Sequence, residues 1–185
     1  MNRKKLQLPL SDAVRLELKA GDLLALSGVI YTARDAAHKH MIETINDQQP
    51  LPFDLQGQTI YYSGPCPACP GQVIGSAGPT TSGRMDLYTP ALIEHGLRVM
   101  IGKGQRSDPV IQSMIRFGAV YLGATGGAGA LLAQHITEAR IIAYPDLGTE
   151  AIRQLVVKDF PVLVIIDSKG NNLYDTGPAQ YRQDD

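Results

Sequence analysis

The chain contains no tryptophan, three phenylalanines and only two cysteines. Both cysteines, Cys66 and Cys69, fall in one CPAC motif, so a disulfide framework is excluded and stability has to come from a buried core. Neither sign of charge is in excess. Lys and Arg number 17 against 18 for Asp and Glu, a formal net charge of −1. That balance argues against the basic field that nucleic acid requires and against a polybasic membrane anchor. No apolar run approaches the length needed to cross a bilayer. The opening MNRKKLQLPL is positively charged but has no apolar stretch suited to a signal peptide, so a cytoplasmic protein is expected. Hydrophobic content of 44% and charged content of 19% over 185 residues read as one globular domain, 1–185. Residues 1–20 are expected to form an entry segment and 176–185 a flexible tail.

Glycine and proline, by contrast, are plentiful, at 19 and 12 residues, and they punctuate an alternation of strands and helices. DLLALSGVIYT (22–32) reads as a buried strand, followed by a helix over RDAAHKHMIETI (34–45) with Ala37, Met41 and Ile45 on one stripe. QTIYYSG (58–64) is a second strand, and 64–83 is dense enough in Gly, Pro, Ser and Thr to be mostly loop. Thr89-Pro90 reads as N-cap and first helical residue, with Gly96 as the stop. Strand LRVMIG (97–102), helix SDPVIQSMIRFG and strand AVYLGA (119–124) follow, then a glycine-rich turn into ALLAQHI. The end is strand-rich: ARIIAYP, AIRQLVVKD and PVLVIIDSKGNNLY, the last two joined near Phe160-Pro161, with DSKGN as a turn. The class is α/β, with parallel strands partly covered by helices and an antiparallel or mixed portion.

Three segments repeat one plan, an apolar strand, a small-residue turn and a cation at the turn. They are GVIYTARDAAHK with Arg34, GPTTSGRMD with Arg84, and VMIGKGQRSD with Lys103. In α/β sheets ligands collect beyond the carboxyl ends of parallel strands, beside helix N-termini, so these cations fit one anionic ligand. The plainer alternative is local pairing, Arg34 with Asp35 and Arg84 with Asp86. If the GPTTSGR turn runs straight into helix, Thr80 and Arg84 stand four apart on one face, and the guanidinium favours an ionised Thr80 or grips a carboxylate. Ordinary capping by Thr80, Thr81 or Ser82 is the structural alternative.

Taken in order, YTARDAAHK, GPTTSGRMD, IGKGQRS, YLGATGGAGALLAQ, YPDLGTEAI and DFPVLVIIDSKGNNLY resemble the C-terminal domain of the class I, iron–sulfur-dependent fumarases. In two-subunit members that domain is a separate β subunit, and the L(+)-tartrate dehydratase β subunit is related. The resemblance runs from about residue 20 to 175. It implies a swivelling β/β/α domain, a parallel sheet with helices on one side and a second antiparallel or mixed sheet on the other. It also implies a hydro-lyase that reversibly hydrates fumarate to (S)-malate. A [4Fe–4S] cluster and the catalytic acid would be held by a partner α subunit, and no metal by this chain, which would be inactive alone. An α2β2-type assembly acting on a dicarboxylate is expected, with no nucleic acid and no membrane as partner.

Residue by residue, the resemblance assigns Thr80 as the base beside a substrate carboxylate. Arg84 binds that carboxylate and polarises Thr80, while Arg34 and Lys103 hold the remaining substrate oxygens. Asp35, His38 and Thr81 are further candidates, the first two as residues that orient Arg34 or line the site. The β subunit of a tartrate dehydratase or a mesaconate hydratase is an alternative. A non-catalytic dicarboxylate-binding or scaffolding module is an alternative of another class. CPAC departs from the family pattern; alone it lacks the ligands of a zinc site and the helix N-terminus of a thioredoxin-like dithiol. GATGGAGA (123–130) lacks the Lys-Ser/Thr of a P-loop, and Leu132 stands where GxGxxG needs its last glycine, so close helix–strand packing is the expected role.

Overall fold

A computed structural model describes residues 3–179. Its strands are β1 (Lys4–Gln7), β2 (Leu23–Thr32), β3 (Thr59–Tyr61), β4 (Val99–Gly102), β5 (Val120–Gly123), β6 (Ile136–Ala143) and β7 (Ile152–Ile166). Its helices are α1 (Asp12–Glu17), α2 (Asp35–Asn46), α3 (Thr89–Glu94), α4 (Asp108–Phe117), α5 (Gly129–Ala133) and α6 (Leu173–Ala179). The entry segment is therefore β1 and α1. Residues 176–179 of the expected tail belong to α6, and 180–185 lie outside the described residues.

The seven strands form one mixed sheet in the order β1-β2-β3-β4-β5-β7-β6. From β1 to β5 every neighbour is parallel. β7 then pairs antiparallel with β5, with β6 and also with β2, so the sheet closes upon itself through this single strand. Phe160-Pro161, expected to separate two strands, lies inside the 15 residues of β7. A bulge replaces the turn: Asp159 takes a left-handed φ of 49°, and its N–H donates to Ser27 Oγ at 3.0 Å.

Two apolar cores follow from the period-two alternation of the strands. Tyr61, Val99, Ile101, Val120 and Leu122 face inward against Leu155, Phe160, Val162 and Val164 of β7. Ile60, Tyr62, Met100 and Tyr121 point the other way, against Ala37 and Met41 of α2, Leu92 and Ile93 of α3, and Val110 and Met114 of α4. In α4 the local chemistry explains the limits. Ser107 holds the N-cap position, Pro109 sits in the first turn, and Gly118 ends the helix in the left-handed conformation at φ 65°. Burial of Val110 and Met114 stabilises this helix by roughly 1.5–3 kcal/mol per side chain. Thr89 is the first residue of α3 and not its N-cap; its hydroxyl donates to Met85 O at 2.8 Å.

Candidate functional site

The carboxyl ends of β2, β3, β4 and β5 deliver Arg34, Ser63-Gly64, Lys103 and the GATGGAGA turn to one edge of the parallel sheet. The segment GPTTS is laid between β3 and β4 at that edge. Thr80 N–H donates to Tyr62 O at 2.6 Å, and Ser63 Oγ donates to Gly78 O at 2.9 Å. Thr81 forms a parallel bridge with Lys103, Ser82 N–H donates to Lys103 O at 2.9 Å, and Lys103 N–H returns a bond to Ser82 Oγ at 3.1 Å. Ser82 is fully buried and its hydroxyl also meets Tyr121 OH at 2.8 Å.

This lacing corrects the expected helix. The backbone stays strand-like through Thr81, and only a 3-10 turn follows at Ser82–Met85, so Thr80 and Arg84 do not share a helix face. Nor does Thr81, at the cap position, make a side-chain cap bond. Thr80 is half-buried, Thr81 exposed.

The charges pair differently from their order in sequence. Arg84 Nε donates to Asp35 Oδ1 at 2.8 Å, and the partner of Asp86 is Arg106, not Arg84. Arg34 does lie beside Asp35, Nη2 to Oδ2 at 3.7 Å, but stands nearer Glu150 Oε1 at 3.2 Å. Lys103, half-buried, has no carboxylate within 4.0 Å among the described residues. Arg34, Asp35 and Arg84 thus form one cluster, and Lys103 is tied to the same 80–84 segment through its backbone.

His38 is fully buried against Tyr62 and bonded through Nδ1 to Arg34 O at 2.9 Å. Burial pushes its pKa down to about 4, so the imidazole is neutral near pH 7. A carbonyl only accepts, which assigns the proton to Nδ1 and leaves Nε2 a bare acceptor. Nε2, Arg34 Nε and Asp35 Oδ2 are buried without hydrogen-bond partners. Buried polar atoms left unsatisfied on residues 34, 35 and 38 need a further polar partner.

Beneath this cluster Arg106 is buried. Nε donates to Asp86 Oδ1 at 2.7 Å and Nη2 to Thr89 Oγ1 at 3.0 Å, and the guanidinium lies 5.2 and 5.0 Å from the Tyr62 and Tyr121 ring centres. Burial opposes its charge, but Tyr62, Asp86 and Tyr121 outweigh that cost and raise its pKa. Asp86 Oδ2 also accepts from Ser107 N at 2.6 Å, which binds the turn carrying Arg84 to the loop carrying Lys103.

The glycine-rich turn serves packing. Ala77 N–H donates to Gly129 O at 3.0 Å, and a Cβ on Gly129 would clash with Gly78 and Ser76. Leu132, at the failed GxGxxG position, is buried in the core. Cys66 and Cys69 are free thiols on an exposed loop. No group of three or more His, Cys, Asp or Glu among the described residues is placed to share a metal ion. Cavities of about 570 and 700 Å³ lie elsewhere, one beside Ile45 and the 48–55 loop, the other beside α1 and the Asp167 turn.

The sequence reading did not single out Glu150, Arg106, Ser82 or Tyr121. All four stand inside the family motifs, and Ser82 carries a capping signal alone, but no local pattern ties them to partners 17 to 116 residues away; only the fold does.

Comparison with known sequences decides the relationship, since the chain matches the Fumarase C-terminus family over residues 2–177. It belongs to that family. The anaerobic class I fumarate hydratase of Escherichia coli K12 is 42% identical over 153 residues, 82% of this chain and 28% of that protein. Fumarate hydratase 2 of Leishmania major is 39% identical over 168 residues, 88% of this chain and 30% of that protein. The chain therefore spans less than a third of these fumarate hydratases. A Methanocaldococcus jannaschii protein, provisionally named L(+)-tartrate dehydratase subunit beta, is 39% identical over 165 residues, 86% of this chain and 85% of that protein. Among the described residues of this Fumarase C-terminus chain, no helix is long and apolar enough to cross a membrane.

Proposed function

We propose that this chain is the β half of a two-subunit class I fumarate hydratase, which adds water reversibly to fumarate to give (S)-malate. The observation that carries the reading is the meeting of Arg34, Asp35 and Arg84, with Thr80 and Lys103 tied by backbone bonds to the same strand ends, in a chain related to fumarate hydratases. Arg84 keeps both terminal nitrogens free of carboxylate partners among the described residues while Asp35 holds Nε, which suits end-on recognition of a substrate carboxylate. Arg34 and Lys103 bind the remaining oxygens. Thr80 takes the proton from the carbon beside the carboxylate bound by Arg84. A threonine hydroxyl is a weak base, so this role depends on the surrounding cations and on exclusion of water by a partner.

A [4Fe–4S] cluster would belong to the α subunit, because this chain's donors do not make a site for one. It has two cysteines, both on an exposed loop away from any third ligand among the described residues. An α2β2 assembly in the cytoplasm and the swivelling β/β/α architecture are parts of the same reading. Helices α2, α3 and α4 on one face, with β7 on the other, support the architecture.

A second reading, the β subunit of an L(+)-tartrate dehydratase, is supported by the Methanocaldococcus relative, 39% identical over 165 residues. Anaerobic co-expression with the α subunit, followed by assay of fumarate, L(+)-tartrate and mesaconate, tests both. Fumarate hydration by the complex, and none by this chain alone, is expected. Preference for tartrate establishes the second reading, and a reconstituted complex that turns over no dicarboxylate removes both.

A further inference from the structure

The YPDLGTE segment has no role in the chemistry above, yet it ends on a carboxylate inside the cation cluster. Its 3-10 turn, Pro145–Glu150, needs a left-handed Tyr144 at φ 52° and an irregular Gly148. Arg153 holds the turn by donating Nη2 to Gly148 O at 2.8 Å and Nη1 to Thr149 O at 3.1 Å. Glu150 is thereby set between two partners from the start of α2. Oε2 accepts from Ala36 N at 3.0 Å, and Oε1 lies 3.2 Å from Arg34 Nη2. On its other side Arg34 lies against Gly64, where a Cβ would come within 2.8 Å of Nη1. Four side chains then alternate in charge without a break: Glu150, Arg34, Asp35 and Arg84, at 3.2, 3.7 and 2.8 Å.

We propose that Glu150 is a positioning residue that sets both arginines of the substrate site through this alternating chain. The inference rests on the hydratase reading for its substrate, a dicarboxylate. The residue is anchored to backbone at Ala36, so it fixes Arg34 relative to α2; Arg34 then constrains Asp35, and Asp35 constrains Arg84. Two plainer roles make different predictions. As a mere cap for Ala36, Glu150 is replaceable by glutamine. As a mere charge neutraliser, it opposes an anionic substrate, and its removal tightens binding.

The sign of the change in KM separates these roles. In the assembled complex, Glu150→Gln is expected to raise KM for the dicarboxylate roughly tenfold or more while kcat stays within about threefold, because ground-state and transition-state binding are lost together. Glu150→Asp keeps the charge and shortens the reach, and KM is expected to rise there too. An unchanged or lowered KM in either variant overturns the proposal. If the wild-type complex hydrates no dicarboxylate, the hydratase reading falls and the inference is judged on the full chain by nuclear magnetic resonance. The Arg84 Nε–Hε resonance is then expected to shift in Glu150→Gln in the direction it takes in Asp35→Asn. A resonance unmoved by Glu150→Gln defeats the proposal independently of activity.

Discussion

Two arginine–aspartate pairs that meet at one turn, through Arg84 and Asp86, have nearly the same geometry and opposite surroundings. Arg106 and Asp86 meet at 2.7 Å with side chains 0% and 12% exposed; Arg84 and Asp35 meet at 2.8 Å with side chains 51% and 30% exposed. In the first pair every donor is directed at a fixed protein acceptor or an aromatic face, and the charges are removed from water. Such a pair specifies structure, since removal of one member strands the other. In the second pair water screens the attraction, so the pair contributes little to stability while still orienting a half-exposed guanidinium. The lesson is that bond length does not distinguish a structural ion pair from a solvent-facing one. Burial does.

The comparison is most severely tested by breaking the buried pair. Asp86→Ala leaves Arg106 charged and enclosed, and a loss of about 3–5 kcal/mol is expected by denaturant titration. A loss below 1 kcal/mol would mean that Arg106 finds water or another partner.

Next in size is His38, whose buried ring packs on Tyr62, the ring that also faces Arg106. The charged form is disfavoured in the folded chain, where the pKa is about 4, relative to 6.5 when unfolded. The unfolded state therefore binds more protons between these values. Stability is full above pH 6.5 and falls as pH drops toward 4, by up to ~3 kcal/mol. His38→Asn should flatten that part of the stability–pH curve, and an unaltered slope would assign it to other groups.

Arg84→Ala should cost under about 1 kcal/mol of stability, yet abolish turnover in the assembled enzyme. Near-normal turnover would remove Arg84 from the site. Smallest of all, replacing Cys66 and Cys69 together by serine should change stability by no more than about 0.5 kcal/mol, because both are exposed and unpaired. A larger loss would show that the loop carries a load not evident from its contacts.

Much of the fold is legible along the chain. Apolar period, Pro109 and Gly118 define α4, and short apolar runs define β2 and β5, because these signals are local. The cations at strand ends are legible for the same reason. Phe160-Pro161 misleads because proline normally interrupts a ladder; here a bulge at Asp159 absorbs it and one strand serves three neighbours. Pairing of Arg84 with Asp86 misleads because proximity in sequence is a poor guide once a 3-10 turn sends successive side chains in different directions.

Composition and pattern by themselves determined an α/β chain whose small-residue turns carry Arg34, Arg84 and Lys103 past the ends of strands. They also determined kinship to the fumarase C-terminal family, since motif order is a linear property. Which acid each base meets, that His38 is neutral, and that Glu150 reaches Arg34 from 116 residues away were decided only by the tertiary structure. The physical reason is that charge pairing and pKa depend on distance and burial, and closure of the sheet through β7 sets both.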